Sequence, residues 1–425
     1  MDHRSDLRLL REAVMSIHPQ PFVHCSLATW RQAVRKLWLG LPDMTREARI
    51  IAYAELLALI GDGHTVLRLQ EVAGFTRYPL QFQLCQDGLI ITAIEESEQW
   101  ALGGKVLSLG DWPIPLAYAR VRTCVSSDNL MGERLGVAEA LAIPQVAWFY
   151  GLAEPAHPLR LGVRGQDGEE RVVKVAVSSS PVTQLHSPTP LANTWTYDPS
   201  GALMYVRYAQ VRDEPTRSLA AFWTEVFRAI EEYKAEKLII DMRSNAGGDN
   251  RLNRSLVHAI LRHDRINQWG RLFVFIGRET FSAACNGVVE LERHTRALFV
   301  GEPTGGRPNH YGETNLVHLP DCDATISIAS VWWQFSDPFD DRPWVAPDID
   351  APQLRLDVLT GRDRALEECR QYQPREQGYQ EYPLRLSSAQ NTWRARMARW
   401  ELRWEEDFFH MALSSERSTE TENTP

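Results

Sequence analysis

The hydrophobic pattern changes period twice along the chain. Over residues 5–60 apolar positions recur every three or four residues. Leu7, Leu10, Val14 and Ile17 share one face, followed by Trp30, Val34 and Leu37 and then by the run 50–60. That is the spacing of amphipathic helices, and Pro19 and Pro21 end the first of them. A GDGHT turn at 61–65 follows, and 66–69 starts a strand. Over 77–177 the period shortens to two. Short apolar segments at 80–84, 89–91, 105–109, 159–163 and 172–177 are separated by turn signals such as Asp87-Gly88, Gly110-Asp111 and Gln166-Asp167-Gly168. The pattern predicts a small β-rich module with one helical insert near 128–143. Residues 178–194, rich in Ser, Thr and Pro, read as a linker.

From 200 to 350 the two periods alternate. Strands are expected at 203–208, 237–241, 272–276 and 297–300, and helices at 218–233, 251–261 and 282–294. Such alternation builds an α/β layer. Near the C-terminus Trp393, Met397, Trp400, Trp404 and Phe408 form a stripe with helical spacing, and the last dozen residues lack apolar anchors. The expected division is therefore a helical N-terminal region (1–74), a β-rich module (75–180), an α/β core (181–375), a C-terminal helical extension (376–412) and a disordered tail (413–425). No internal repeat is seen.

Composition narrows the function class. Apolar residues make up 44% of the chain, enough for a real core. The net charge of −9 argues against nucleic acid and anionic membranes as partners. No apolar run is long enough to predict a transmembrane helix, and the charged start MDHRSDLRLLREAVM has no apolar stretch of a signal peptide. The six cysteines are scattered without a CxxC pair, which reads as free thiols in a reducing cytoplasm. His258 and His263 have no acidic or cysteine partner at metal-ligand spacing, so neither a metal nor a cofactor is expected.

The chemistry concentrates in two segments, LIIDMRSNAGGDN (238–250) and FVFIGRETFSAACNGVVELE (273–292). Each is an apolar run that meets a polar or glycine-rich turn and then becomes helical. In open α/β sheets, reacting groups collect at such strand ends. Ser282 stands at the start of a helix, among unpaired N–H groups and at the positive end of the dipole. That setting suits a nucleophile whose attack creates an oxyanion.

These segments resemble the core motifs of the tail-specific (C-terminal-processing) serine peptidases, whose wider family includes the tricorn core protease. Asp-x-Arg-x-Asn-x-Gly-Gly stands at Asp241–Gly248, Thr-x-Ser-Ala-Ala at Thr280–Ala284, and the turn GEPTGG at Gly301–Gly306. The resemblance covers roughly 190–370 and extends more loosely to GDGHT. It implies a mixed α/β fold: a helical N-terminal cap, a PDZ-like module, a ClpP/crotonase-like peptidase core and a C-terminal helix. Many tail-specific relatives take the serine proton with a lysine. At that position this chain carries Arg307, which stays protonated and cannot accept it. The tricorn-like route is then implied, with His64 as base. Tricorn-like enzymes place a serine just before this histidine, where Gly63 stands here. Counting back from Trp344-Val345-Ala346-Pro347-Asp348 assigns Asp341, beside Asp340, as the acid that orients the imidazole. The backbone N–H of Ala283 and one from Gly247 or Gly248 are the expected oxyanion donors. Asp241, Arg243 and Asn245 are expected to brace their loop. Arg307 is available to meet a substrate carboxylate, and His310 is the reserve base. Cys285 reads as a packing residue.

The combined reading is a cytoplasmic serine hydrolase acting on peptides or unfolded protein tails. The rival is a non-catalytic ligand-binding protein, since the family's core also occurs in a photoreceptor retinoid carrier. An esterase using the same residues is the third reading.

Overall fold

The computed structural model describes residues 3–178, 181–186 and 190–372. The helix expected over 376–412 and the tail 413–425 lie outside them. The N-terminal region is helical as its period implies: α1 (Ser5–Ile17), α2 (Leu27–Gly40) and α3 (Arg46–Ala58). Ser26 and Thr45 cap the last two by accepting from the N–H groups of Thr29 and Ala48. The strand after GDGHT is shorter than expected, β1 (Val66–Leu67).

The β-rich module holds β2 (Leu80–Cys85), β3 (Gly88–Glu95), β4 (Lys105–Leu109), β5 (Trp112–Pro113), β6 (Leu159–Arg164), β7 (Glu170–Val175) and β8 (Val182–Gln184). Its main strand order is β2-β3-β4-β6-β7, and β8 pairs with β3 out of the stretch read as linker. The single helical insert expected near 128–143 is three helices: α4 (Ile114–Val121), α5 (Leu130–Ala140) and α6 (Pro144–Phe149). Pro113, Pro115 and Pro144 punctuate this stretch. Proline suits the first turn of a helix, where its missing N–H is not needed.

The α/β layer consists of β9 (Thr194–Asp198), β10 (Leu203–Arg207), α7 (Leu219–Tyr233), β11 (Lys237–Asp241), α8 (Asn253–Leu261), β12 (Leu272–Ile276), α9 (Ala283–His294) and β13 (Leu298–Gly301). Strands β10 to β13 pair in sequence order, all parallel, with β9 antiparallel at one edge. Strands stepping one way with right-handed crossovers put every connecting helix on one face, and α7, α8 and α9 pack side by side there. The apolar runs are continuous because both faces are covered. Leu238, Ile240, Leu272, Val274 and Ile276 point to α7–α9, while Ile239, Phe273 and Phe275 point to the opposite core with Ala365 and Cys369. Helix α7 ends at Lys234 in the left-handed region, φ +56°, a conformation that glycine adopts without strain. Lys234→Gly is expected to raise stability by about 0.5–1 kcal/mol, read from denaturant midpoints.

A long hairpin, β14 (Asn309–Leu319) and β15 (Ala324–Gln334), stands where the strand–helix alternation predicts no such element. It does not join the parallel sheet. Instead β15 pairs with β1, Val66 opposite Ser327 and Leu67 opposite Ile326. Its apolar side joins the core of the N-terminal helices and the β-module through Leu319, Ala324, Ile326 and Ile328. This hairpin ties the GDGHT turn to the α/β layer. The described chain closes with β16 (Ile349–Asp350), α10 (Arg355–Thr360) and α11 (Arg364–Gln371). Among the described residues no helix is long and apolar enough to cross a membrane.

Candidate active site

Neighbouring parallel strands β11 and β12 end side by side, so the loops that leave them must touch. They do: the Phe281 N–H donates to the Asn245 carbonyl at 3.1 Å. The first loop is braced as the motif implies. The Asp241 carboxylate accepts from the Arg243 backbone and side chain at 2.6–3.0 Å and from the Tyr205 hydroxyl. Arg243 in turn grips Asp363 at 2.7–3.0 Å. Asn245 is fully buried, donates to the Tyr208 carbonyl at 2.8 Å and accepts from the Gly247 N–H at 2.9 Å.

Ser282 lies at the turn from β12 into α9 with φ +52° and ψ −129°. A non-glycine residue rarely adopts that conformation, and such strain concentrates at reacting sites. A sharp strand-to-helix turn of this kind pushes a hydroxyl out above the sheet. His64 Nε2 is 3.0 Å from Ser282 Oγ although 218 positions separate them. The His64 ring stacks on Phe281, centroids 4.5 Å apart, and on His310, 5.6 Å apart. His310, the reserve base, is committed elsewhere through Nδ1, 3.0 Å from the Arg307 carbonyl.

The acid expected to orient His64 is corrected by the structure. Asp341 is exposed, and among the described residues no hydrogen bond joins it to the imidazole. Its neighbour Asp340 is consumed by Arg342 at 2.8–3.1 Å and by Ser336 at 2.5 Å. Asp340 is thereby committed to Arg342 and Ser336, and the charge of Asp341 acts on Arg307 rather than on the imidazole. The carboxylate beside the ring is Asp62, from the same GDGHT turn. Asp62 Oδ1 accepts the His64 backbone N–H at 2.8 Å and lies 3.9 Å from His64 Nδ1. No described group bonds that buried Nδ1. Asp62 Oδ2 accepts from Thr65 Oγ1 at 2.6 Å and lies 3.2 Å from His18 Nε2. His18 Nδ1 accepts the Gln20 N–H at 3.1 Å, which leaves the ring proton on Nε2 to donate to Asp62. Thr65 also accepts from the Ala329 N–H at 3.1 Å, so the hairpin holds the network in place. A second carboxylate, Asp128, approaches from the loop before α5 and accepts the Gly63 N–H at 2.7 Å.

Burial is the main influence on His64 and lowers its pKa below that of a free imidazole. Asp128 and Asp62 pull it up, while His310 and Arg68 push it further down. Burial alone would raise the Asp62 carboxyl. The hydrogen bond from His18, the charge of His64 and the bonds from Thr65 and the His64 backbone outweigh it and hold Asp62 below the usual range. Asp62→Ala strips the partners from buried His18 and Thr65. A loss of about 3 kcal/mol or more in denaturant unfolding is expected.

Where tricorn-like enzymes have serine before the histidine, Gly63 has a steric reason. A Cβ there would fall 2.9 Å from the Phe281 ring. Arg307 donates from Nε to the Asp128 carbonyl at 2.8 Å and from its backbone to the Asp128 carboxylate at 3.4 Å. Burial lowers its pKa, and Asp128 and Asp341 oppose that. It remains a cation and does not line the pocket around Ser282.

That pocket, about 190 Å³, is lined by His64, Ser282, Ala283, Gly248, Asn250, Asn286, Glu313, Thr314 and Trp333. The two glycines named as oxyanion donors divide here. The Gly247 N–H is spent on Asn245, whereas Gly248 lines the pocket with Ala283. Gly248 adopts φ +142°, and a Cβ would lie 2.1 Å from the Val211 carbonyl oxygen. Sequence reasoning missed Asp62, Asp128 and His18. Asp62 alone carried a local signal, two positions before the histidine. Among the described residues the one group with metal-ligand proximity is Asp6, Asp321 and Cys322. Asp6 there accepts the backbone N–H groups of Asp321 and Cys322, a structural role.

No family model matches the sequence. No curated protein matches it. Solved structures do. Mature CPAF is 15% identical, covers 87% of this chain and 96% of its own, and superposes with a TM-score of 0.64. Mature CPAF complexed with lactacystin is 15% identical, with 87% and 98% covered and a TM-score of 0.62. The photosystem II D1 C-terminal processing protease is 15% identical, with 82% and 93% covered and a TM-score of 0.42. The fold of this chain is that of mature CPAF.

Proposed function

We propose that this protein is a serine peptidase in which Ser282 forms an acyl-enzyme and His64 is the general base. The observation that carries the reading is the 3.0 Å contact between His64 Nε2 and Ser282 Oγ, with the serine at a strained strand-to-helix turn. Ser282 Oγ attacks a peptide carbonyl while His64 Nε2 takes its proton. The tetrahedral oxyanion is held by the N–H groups of Ala283 and Gly248. His64 then gives the proton to the leaving amine as the C–N bond breaks. Water repeats the sequence on the ester and regenerates Ser282. Asp62, in place of Asp341, is the carboxylate that faces Nδ1, at 3.9 Å, and its charge favours the imidazolium that forms when Nε2 takes the serine proton.

The substrates on this reading are peptides or unfolded protein tails, as the sequence motifs imply. Six buried thiols support the reducing, cytoplasmic setting read from the sequence. Arg307 braces the Asp128 loop rather than meeting a substrate carboxylate. Arg307→Ala is therefore expected to lower thermal stability while the pH dependence of turnover keeps its shape, since the base is untouched. A profile shifted to the range of a different base contradicts that role.

The test is a fluorophosphonate probe on the folded protein. Labelling should map to Ser282 and disappear in Ser282→Ala. Lactacystin, found in complex with mature CPAF, is expected to compete with the probe. A folded protein that neither takes up the probe nor hydrolyses unstructured polypeptide overturns the reading and favours the ligand-binding alternative.

A further inference from the structure

We propose that the pocket beside Ser282 selects a cationic side chain on the substrate residue whose carbonyl is attacked, with Glu313 as the carboxylate that pairs with it and Asn286 as a second acceptor. This inference rests on the peptidase reading and assigns it a substrate class. The pocket is small, about 190 Å³, below the size of sites that hold a whole small molecule. It fits one side chain next to the reacting carbonyl.

Its lining is poor in apolar surface and rich in acceptors. Asn286 lies one helical turn after Ser282, and its N–H donates to the Ser282 carbonyl at 3.1 Å. Its side chain is 1% exposed, and Oδ1 accepts no hydrogen bond from any described residue. A buried acceptor without a donor costs about 1–3 kcal/mol, a cost that a donor on the substrate removes. Glu313 stands at the pocket mouth on β14, where the ladder skips from Gly312–Val331 to Thr314–Ala329. It has φ +51°, a backbone that sets it apart from the regular strand. Apart from the base His64, Glu313 is the charged residue of the lining. The cation whose titration its charge touches, Arg251, is already paired with Asp249 at 2.7 Å. Trp333 adds an aromatic wall suited to a cation.

The alternatives fare worse on the same geometry. An acidic side chain would face Glu313 with like charge. An aliphatic one would cover the Asn286 acceptor without giving it a partner, which is how a polar pocket rejects an apolar isostere. Lysine and arginine supply both the charge and the donors.

The experiment uses full-length protein and peptides of one sequence that carry lysine, norleucine or glutamate at the position before the cleaved bond. The readout is kcat/KM for each. Lysine should exceed norleucine by about threefold to tenfold, the scale of an ion pair with the exposed Glu313 together with a donor to the buried Asn286. In Glu313→Gln the lysine-to-norleucine ratio should collapse towards one, and in Glu313→Lys the preference should move to glutamate. Melting curves confirm that both variants fold. Hydrolysis with no lysine preference, or a ratio unchanged in Glu313→Gln, removes this inference and leaves the peptidase reading intact. A folded enzyme that hydrolyses none of the peptides and takes up no serine-directed probe removes the peptidase reading and this inference with it.

Discussion

Ser282→Ala lowers the turnover of unstructured polypeptide by roughly 10⁴-fold or more, the scale at which loss of a nucleophile leaves only the oxyanion donors and binding to act. Stability should change by less than about 1 kcal/mol, for a structural reason. Ser282 makes no side-chain cap bond to α9, and its hydroxyl is engaged by His64. Alanine keeps the same backbone and removes only that contact. Kinetics on a peptide substrate together with a denaturant melt separate the two effects. A variant that retains turnover refutes the nucleophile. A variant that loses turnover only because it unfolds refutes the purely chemical role.

His64→Ala is expected to remove turnover to a similar depth, because a serine hydroxyl without a base is a poor nucleophile. The wild-type pH profile carries the finer test. The base works as neutral imidazole, so activity is off when His64 is protonated and rises with pH as the proton leaves. Burial is the largest influence on this ring and lowers its pKa. The rise should therefore fall below the roughly 6.5 of an unperturbed histidine. Asp128 and Asp62 oppose the shift. Asp62→Asn, which removes one of those charges, should move the rise to still lower pH, while Asp341→Asn should leave it in place. A profile that responds to Asp341 and ignores Asp62 would restore the assignment made from motif spacing.

Much of this protein was legible along the chain. The helical N-terminal region and the alternation of strands and helices from 203 to 301 follow from local pattern, and Ser282, His64, Asn245 and the glycine pair are singled out by motifs that resemble those of the tail-specific peptidases. What failed was non-local. Counting along a motif leads to Asp341, yet that carboxylate is exposed and no described hydrogen bond joins it to His64, while its neighbour Asp340 is held by Arg342 and Ser336. Gly247 and Gly248 could not be told apart until Asn245 was seen to take the Gly247 N–H. The hairpin β14–β15 is not legible in the sequence because its strands present one apolar side amid polar, turn-rich sequence. Residues 313–316 are exposed throughout.

By itself the sequence determined most of the elements of the N-terminal region and the α/β layer, and their chemical endowment. Apolar period decides which face of a helix or strand is buried, and capping and turn residues decide where each element stops. It also determined that the serine base could not be Arg307, since guanidinium does not give up its proton. Only the tertiary structure decided which distant groups meet. Side-by-side pairing of β11 and β12 sets the Asn245 loop against Ser282. Pairing of β15 with β1 carries GDGHT across the molecule, so that His64 comes to 3.0 Å from a serine 218 residues away. That pairing is specified by backbone ladders and by Ile326 and Ile328 fitting the N-terminal core. Strand register depends on the fit of both partners at once, and neither segment alone contains that information.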